Sequence, residues 1–229
     1  MASVYDLKPR FQDLLRPLCR SIAAAGGTAN QVTVAAAALS GAVGLVCAMG
    51  SHPARWLLLP AVLLVRMGLN AIDGMLAREH GQKSRLGAVL NELGDVVSDA
   101  ALYLPLAFVG TEAVREDGAD WLPIAVVLFV VAAILTEMTG VLALAVGADR
   151  NYAGPMGKSD RAVVVGVLGL LLGLGWVGAE TTAWVAAIAG LLAVVTVINR
   201  ARQSLAAGHA AEVAATDEAA GTSSSHVLG

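Results

Sequence analysis

Long apolar runs, each close to the length of a membrane span, constrain this chain more than any other feature. Gln31–Gly50 carries no charge at all, and Trp56–Arg78, Leu86–Gly110, Trp121–Val146, Ala162–Gly178 and Thr181–Asn199 follow it. An α-helix needs roughly 20 residues to cross about 30 Å of hydrocarbon, and most of the runs reach that length, with Ala162–Gly178 at the short end. The runs are continuous rather than alternating, so helices are the spanning element. Only 14% of the residues are charged, against about 25% in soluble domains, which excludes a soluble globular domain. Cys19 and Cys47 offer no disulfide framework, and a net charge of -3 gives no basic footprint for nucleic acid. The expected fold is an all-α integral membrane protein of six transmembrane helices plus an N-terminal interfacial amphipathic helix.

Loop charge sets the orientation. Lys8, Arg10, Arg16, Arg20, Arg78, Lys83, Arg85, Arg150, Lys158, Arg161, Arg200 and Arg202 fall on one side of the spans. The other side has only Arg55 and Arg115, the latter beside Glu112, Glu116, Asp117 and Asp120. The positive-inside rule then puts both termini in the cytoplasm, with the plasma (inner) membrane as the expected location. Residues 1–29 read as an amphipathic cytoplasmic segment, because Phe11, Leu14, Leu15, Leu18 and Ile22 recur at helical spacing. Residues 30–202 form the membrane domain. The tail 203–229, rich in Ala, Ser and Thr, reads as disordered.

Polar residues inside the runs carry the chemistry, since an ionisable group at membrane depth demands a partner or a function. Asn70, Asp73, Gly74 and Ala77 share one face of the second span at i, i+3, i+4, i+7 spacing, while Gly87, Asn91, Asp95 and Asp99 form one stripe on the third. The short turn between the spans makes them antiparallel neighbours. At about 1.5 Å per residue, Asp73 and Asn91 lie at roughly 8 Å depth, and Asn70 and Asp95 at roughly 12–14 Å. Four oxygen-bearing side chains thus face one another just below the cytoplasmic surface, a donor set suited to a hard divalent cation. Arg78 supplies a cation at the mouth for a phosphate. By the same count Arg66 and Asp99 both lie near 18–20 Å, deep enough to require each other as an ion pair. Glu137 competes for the same Arg66, and Glu92, off the stripe, is expected to face another helix or headgroups.

This stretch resembles the CDP-alcohol phosphatidyltransferase family, whose pattern is D-x2-D-G-x2-A-R-x8-G-x3-D-x3-D. Here it reads Asn70-x2-Asp73-Gly74-x2-Ala77-Arg78-x8-Gly87-x3-Asn91-x3-Asp95, with every spacing intact and Asn at the first and third acidic positions. Thr28-x-Asn30-x2-Thr33 and Gly157-Lys158-x2-Arg161 also look like family features. The resemblance implies transfer of a phosphatidyl group from CDP-diacylglycerol, or a similar CDP-lipid, to an alcohol, with release of CMP. It implies that Asp73, Gly74, Ala77, Arg78 and Gly87 bind the CDP moiety. It puts Asn70, Asp73, Asn91 and Asp95 at the positions of Mg²⁺ or Mn²⁺, with Asp95 as the base, and it favours a homodimer.

Two amides among four acidic positions remove two negative charges, so one metal ion is favoured over two. Asp99 is either an auxiliary carboxylate or the partner of Arg66, and its depth favours the pair. Lys158 and Arg161 either bind a phosphate on the acceptor or set topology at the interface. Gly169-x3-Gly173 packs a helix within the chain or across a dimer. Two alternatives stay open: a relative that binds CDP-lipid without turnover, and a proton or ion transporter using the intramembrane carboxylates.

Overall fold

The computed structural model describes residues 4–110 and 121–225. Among these the chain is helical, with α1 Val4–Ala24, α2 Ala29–Met49, α3 Leu58–Glu79, α4 Arg85–Tyr103, α5 Leu122–Leu142, α6 Lys158–Gly173 and α7 Ala179–Ser225. The acidic stretch around Arg115 lies outside the described residues.

Local chemistry fixes the helix starts. The Thr28 hydroxyl accepts the Gln31 amide at 3.2 Å while the Gln31 side chain accepts the Thr28 amide at 2.9 Å, a capping box that opens α2. Ser84 Oγ accepts the Gly87 amide at 2.9 Å and opens α4. Asp160 accepts the Gly157 amide at 2.9 Å at the start of α6.

Three boundaries differ from the sequence reading. Helix α4 stops at Tyr103 and continues only as a 3₁₀ turn, Leu104–Phe108, because Pro105 lacks an amide hydrogen and its ring crowds the preceding turn. The fifth apolar run forms a helix from Lys158 rather than Ala162 and ends at Gly173, ahead of Gly175 with φ +71°. The tail read as disordered is instead helical as far as Ser225, a continuation of α7. Extending an existing helix needs no new nucleus, and the many alanines there are strong helix formers.

Among the described residues, four stretches are long and apolar enough to cross a membrane: Ala29–Met49, Pro53–Glu79, Leu122–Val146 and Ala179–Glu212. Helix α4 carries Arg85, Glu92, Asp95 and Asp99, and α6 has only 16 residues. Both nonetheless turn apolar rows outward, Leu86, Val89, Leu93 and Val97 on α4 and Val163, Val167 and Leu170 on α6.

Small residues let the helices approach. A side chain at Gly44 of α2 would collide with the Ala101 carbonyl of α4. A Cβ at Gly169 of α6 would lie 2.7 Å from Leu59 Cβ, and one at Gly173 3.0 Å from the Leu57 nitrogen. The Gly169/Gly173 pair is therefore used within the chain. Helix α1 docks through Cys19, which is buried with Ile72, Met75 and Leu76 at one end of α3. Arg16 adds an exposed ion pair to Glu79 at 3.0 Å.

Candidate active site

Helices α3 and α4, held antiparallel by the turn at residues 80–84, enclose a cavity of about 490 Å³ against the start of α2. Seven of the eight pattern positions line it: Asn70, Asp73, Gly74, Ala77, Arg78, Gly87 and Asn91. The eighth, Asp95, stands one step deeper and is joined to the cavity by Asn70, whose amide donates to Asp95 Oδ1 at 3.3 Å. Sequence spacing alone had put these groups in one layer, and the fold brings them together.

The turn is tied down by a residue the sequence reading did not single out. Gln82 accepts the Ala29 amide at 2.7 Å and donates to the Gly27 carbonyl at 3.2 Å, fixing the turn on the N-terminus of α2. The absence of Cβ atoms at Gly87 is what opens the cavity: a side chain there would meet Asn30 Oδ1 at 2.9 Å and Ser84 Oγ at 3.0 Å. Thr33 supplies a further contact, its hydroxyl donating to Asp73 Oδ2 at 2.8 Å. The Asp73 carboxylate lines the cavity.

Asp95 is gripped from three sides. Arg66 Nη2 lies 3.5 Å from Oδ1, Asn70 shares that oxygen, and the Lys158 ammonium pairs with Oδ2. Arg66 also pairs with Asp99 at 2.8 Å, the contact that depth counting anticipates. The network continues inward. Asp99 meets Arg161 at 3.1 Å, Arg161 meets Glu137 at 2.9 Å, and Arg150 joins Glu137 at 3.4 Å to Glu92. Arg200 closes the set from α7, donating to the backbone carbonyls of Thr136, Ala153 and Tyr152 while lying 4.0 Å from Glu137.

Several sequence expectations change at this point. Arg161 does not stand at the interface: its relative exposure is 0%, and it also donates to Thr136 Oγ1 at 2.7 Å and the Met156 carbonyl at 3.3 Å. Helix α6 turns it inward, which its place at the start of an apolar run does not reveal. Glu137 pairs with Arg161, Arg150 and Arg200 rather than with Arg66. Glu92 both lines the cavity and pairs with Arg150 of the α5–α6 connection. Lys158 stays partly exposed, with 33% of its side chain open.

A second cavity of about 510 Å³ runs between α3 and α6 and meets the first at Asn70. Leu63, Leu64, Met67, Val163 and Val167 make its walls apolar, and Arg66, Asp99 and Lys158 stand at its polar end.

A divalent cation fits the first cavity on its donor chemistry. Asp73 lines the cavity with its carboxylate, and Asn70, having given an amide hydrogen to Asp95, keeps a carbonyl oxygen; hard cations accept both oxygen types. Among the described residues no three His, Cys, Asp or Glu side chains gather as a metal cluster. The donor set present is carboxylate and amide oxygen.

Residues 27–208 match the model of a family described as CDP-alcohol phosphatidyltransferase. The inner membrane protein YnbA of Escherichia coli is 46% identical over 205 residues, covering 89% of this chain and 96% of its own length. Among solved structures, the Mycobacterium tuberculosis phosphatidylinositol phosphate synthase with CDP-DAG bound aligns with a TM-score of 0.70 at 22% identity, over 84% of this chain and 94% of that one. The same enzyme in complex with manganese and citrate aligns with a TM-score of 0.70 at 22% identity, over 83% of this chain and 88% of that one. At that identity the likeness shows the fold.

Proposed function

The chain belongs to the CDP-alcohol phosphatidyltransferase family, and from that premise we propose that it transfers a phosphatidyl group from CDP-diacylglycerol, or a similar CDP-lipid, to an alcohol and releases CMP. The observation that carries this reading is the convergence of seven pattern positions on one cavity with Asp95 at its inner end. No carboxylate relay would need Gly74, Ala77, Arg78 and Gly87 there.

In this reading Gly74, Ala77 and Gly87 let the CDP moiety approach the helix backbones, and Arg78 faces its pyrophosphate. Asp73, with the amide oxygens of Asn70 and Asn91 and with Asp95 behind them, would hold Mg²⁺ or Mn²⁺. When bound, that ion supplies charge stabilisation to the pyrophosphate, the larger part of phosphoryl-type transfer. The acceptor hydroxyl attacks the lipid-bearing phosphorus as its proton passes to Asp95. The new bond joins the acceptor oxygen to that phosphorus, the bond to the bridging oxygen breaks, and CMP leaves. Thr33 orients Asp73; Arg66, Asn70 and Lys158 orient Asp95. The apolar cavity between α3 and α6 opens onto this point, so an acyl chain can lie in it while its headgroup reaches the reacting layer.

The outward apolar rows on α4 and α6 support six spans, with α1 at the interface and both termini and the site cytoplasmic. A homodimer is the family's assembly and is proposed here on that ground alone.

The test is CMP release from CDP-diacylglycerol by the purified protein with Mg²⁺ or Mn²⁺ and pooled alcohols. Metal-dependent release, absent in Asp73→Ala and Asp95→Asn, is expected. A folded protein that binds CDP-lipid yet releases no CMP with any acceptor, even after Asn70→Asp and Asn91→Asp, would refute the transferase reading.

A further inference from the structure

Asp95 belongs to the metal positions, yet both of its oxygens are already held by fixed cations. Arg66 and Asn70 are on Oδ1 and Lys158 is on Oδ2. Neither cation is incidental. Arg66 is buried, with 4% relative exposure, and its second nitrogen is locked on Asp99 at 2.8 Å. Lys158 opens α6 and reaches across to α4.

We infer that this chain binds a single divalent cation, on the Asp73 side, and that the Lys158 ammonium, backed by Arg66, permanently supplies the positive charge of a second ion beside Asp95. The inference rests on the transferase reading and deepens it. Charge balance carries it. Arg66, Arg150, Lys158, Arg161 and Arg200 face Glu92, Asp95, Asp99 and Glu137 in one unbroken chain of ion pairs. Adding Asp73 balances these groups, and Arg78 and Lys83, which line the same cavity, then leave positive charge in excess. A CDP-lipid brings two negative charges on its pyrophosphate, which one divalent ion balances. A second ion would add two further positive charges beside cations that already outnumber the carboxylates, which is unfavourable. The amides Asn70 and Asn91 fit the same logic, because carboxylates there would restore the charge that a second ion needs.

Lys158 and a metal ion therefore compete for the field of Asp95. At about 6 Å, even a water-like dielectric makes one unit charge worth about ten-fold in the affinity of a divalent ion. The experiment is Mn²⁺ binding to the full chain in detergent micelles without donor, read by electron paramagnetic resonance of the free ion. One Mn²⁺ per chain is expected. Lys158→Met should tighten Mn²⁺ by about ten-fold or more while lowering CMP release, and Lys158→Arg should keep the wild-type affinity. Lys158 is partly exposed, with 33% of its side chain open, and circular dichroism of each variant checks that it is folded. Two ions of similar affinity in the wild type, no Mn²⁺ binding, or an affinity untouched by Lys158→Met would each overturn the inference; the last is what a lysine that only binds acceptor predicts. One ion with the stated Lys158 response but no CMP release would refute the transferase reading and leave this inference standing.

Discussion

Replacing Asp99 by Asn separates a carboxylate that holds the bundle together from one that serves the reaction. Asp99 is shared by Arg66 at 2.8 Å and Arg161 at 3.1 Å, and all three are buried, with relative exposures of 5%, 4% and 0%. Asn keeps the shape and removes the charge, leaving Arg66 with only Asp95 at 3.5 Å and Arg161 with only Glu137 at 2.9 Å. Breaking a buried pair by removing one partner costs about 3–5 kcal/mol. For a chain of this size that is a fall in Tm of roughly 6–20 °C. Thermal unfolding in detergent, followed by dye labelling of the buried Cys47 thiol, reads it directly. Removing both ends of the pair should be far milder, so Asp99→Asn combined with Arg66→Met should recover more than half of the loss. The reasoning is refuted if Asp99→Asn melts within about 3 °C of wild type while CMP release disappears, which is the behaviour of an auxiliary carboxylate.

Thr33→Val removes a hydrogen bond to the Asp73 carboxylate, a contact class worth about 1.5–3 kcal/mol; a Mn²⁺ titration should show affinity falling by about ten-fold or more with the fold intact. Gly87→Val fills the cavity against Asn30 and Ser84; donor KM should rise by about ten-fold or more, with no matching change in acceptor KM. Burial pushes the Cys19 thiol above its usual range, so the thiolate is suppressed at neutral pH and forms only as pH climbs past the ordinary thiol value. Mass spectrometry after iodoacetamide treatment at pH 7.5 should find Cys19 unmodified in the folded protein, and modified once it is unfolded.

The α3–α4 hairpin was legible because its information is local. Fixed spacing across a short turn, with 1.5 Å of rise per residue, is enough to put Asn70, Asp73, Asn91 and Asp95 in one layer and Arg66 level with Asp99. What lay beyond reach depends on helix rotation and on partners distant in sequence. Arg161 and Lys158 sit three residues apart at the start of α6, and nothing in the sequence says that one turns into the bundle and the other toward Asp95. Arg150 belongs to a connection, which carries no periodicity from which its reach to Glu92 and Glu137 could be deduced. The tail escaped for a different reason: composition marks a segment too polar to fold alone, yet continuing α7 demands no core, only the backbone bonds that an alanine-rich stretch forms readily.

The alternating chain of charges that joins α3 through α7 has a consequence for biogenesis. When α4 is made, the partner of Asp99 already exists, because Arg66 precedes it by thirty-three residues. Glu137 of α5 has no earlier partner, because its cations all come later: Arg150 thirteen residues on, Arg161 twenty-four residues on, and Arg200 of α7. A chain that stops at the end of α5 therefore carries a carboxylate without the cations that match it in the folded protein. The second half of the bundle is thus tied together by cations that follow α5 in the chain, whereas the first half finds its partners among residues already made.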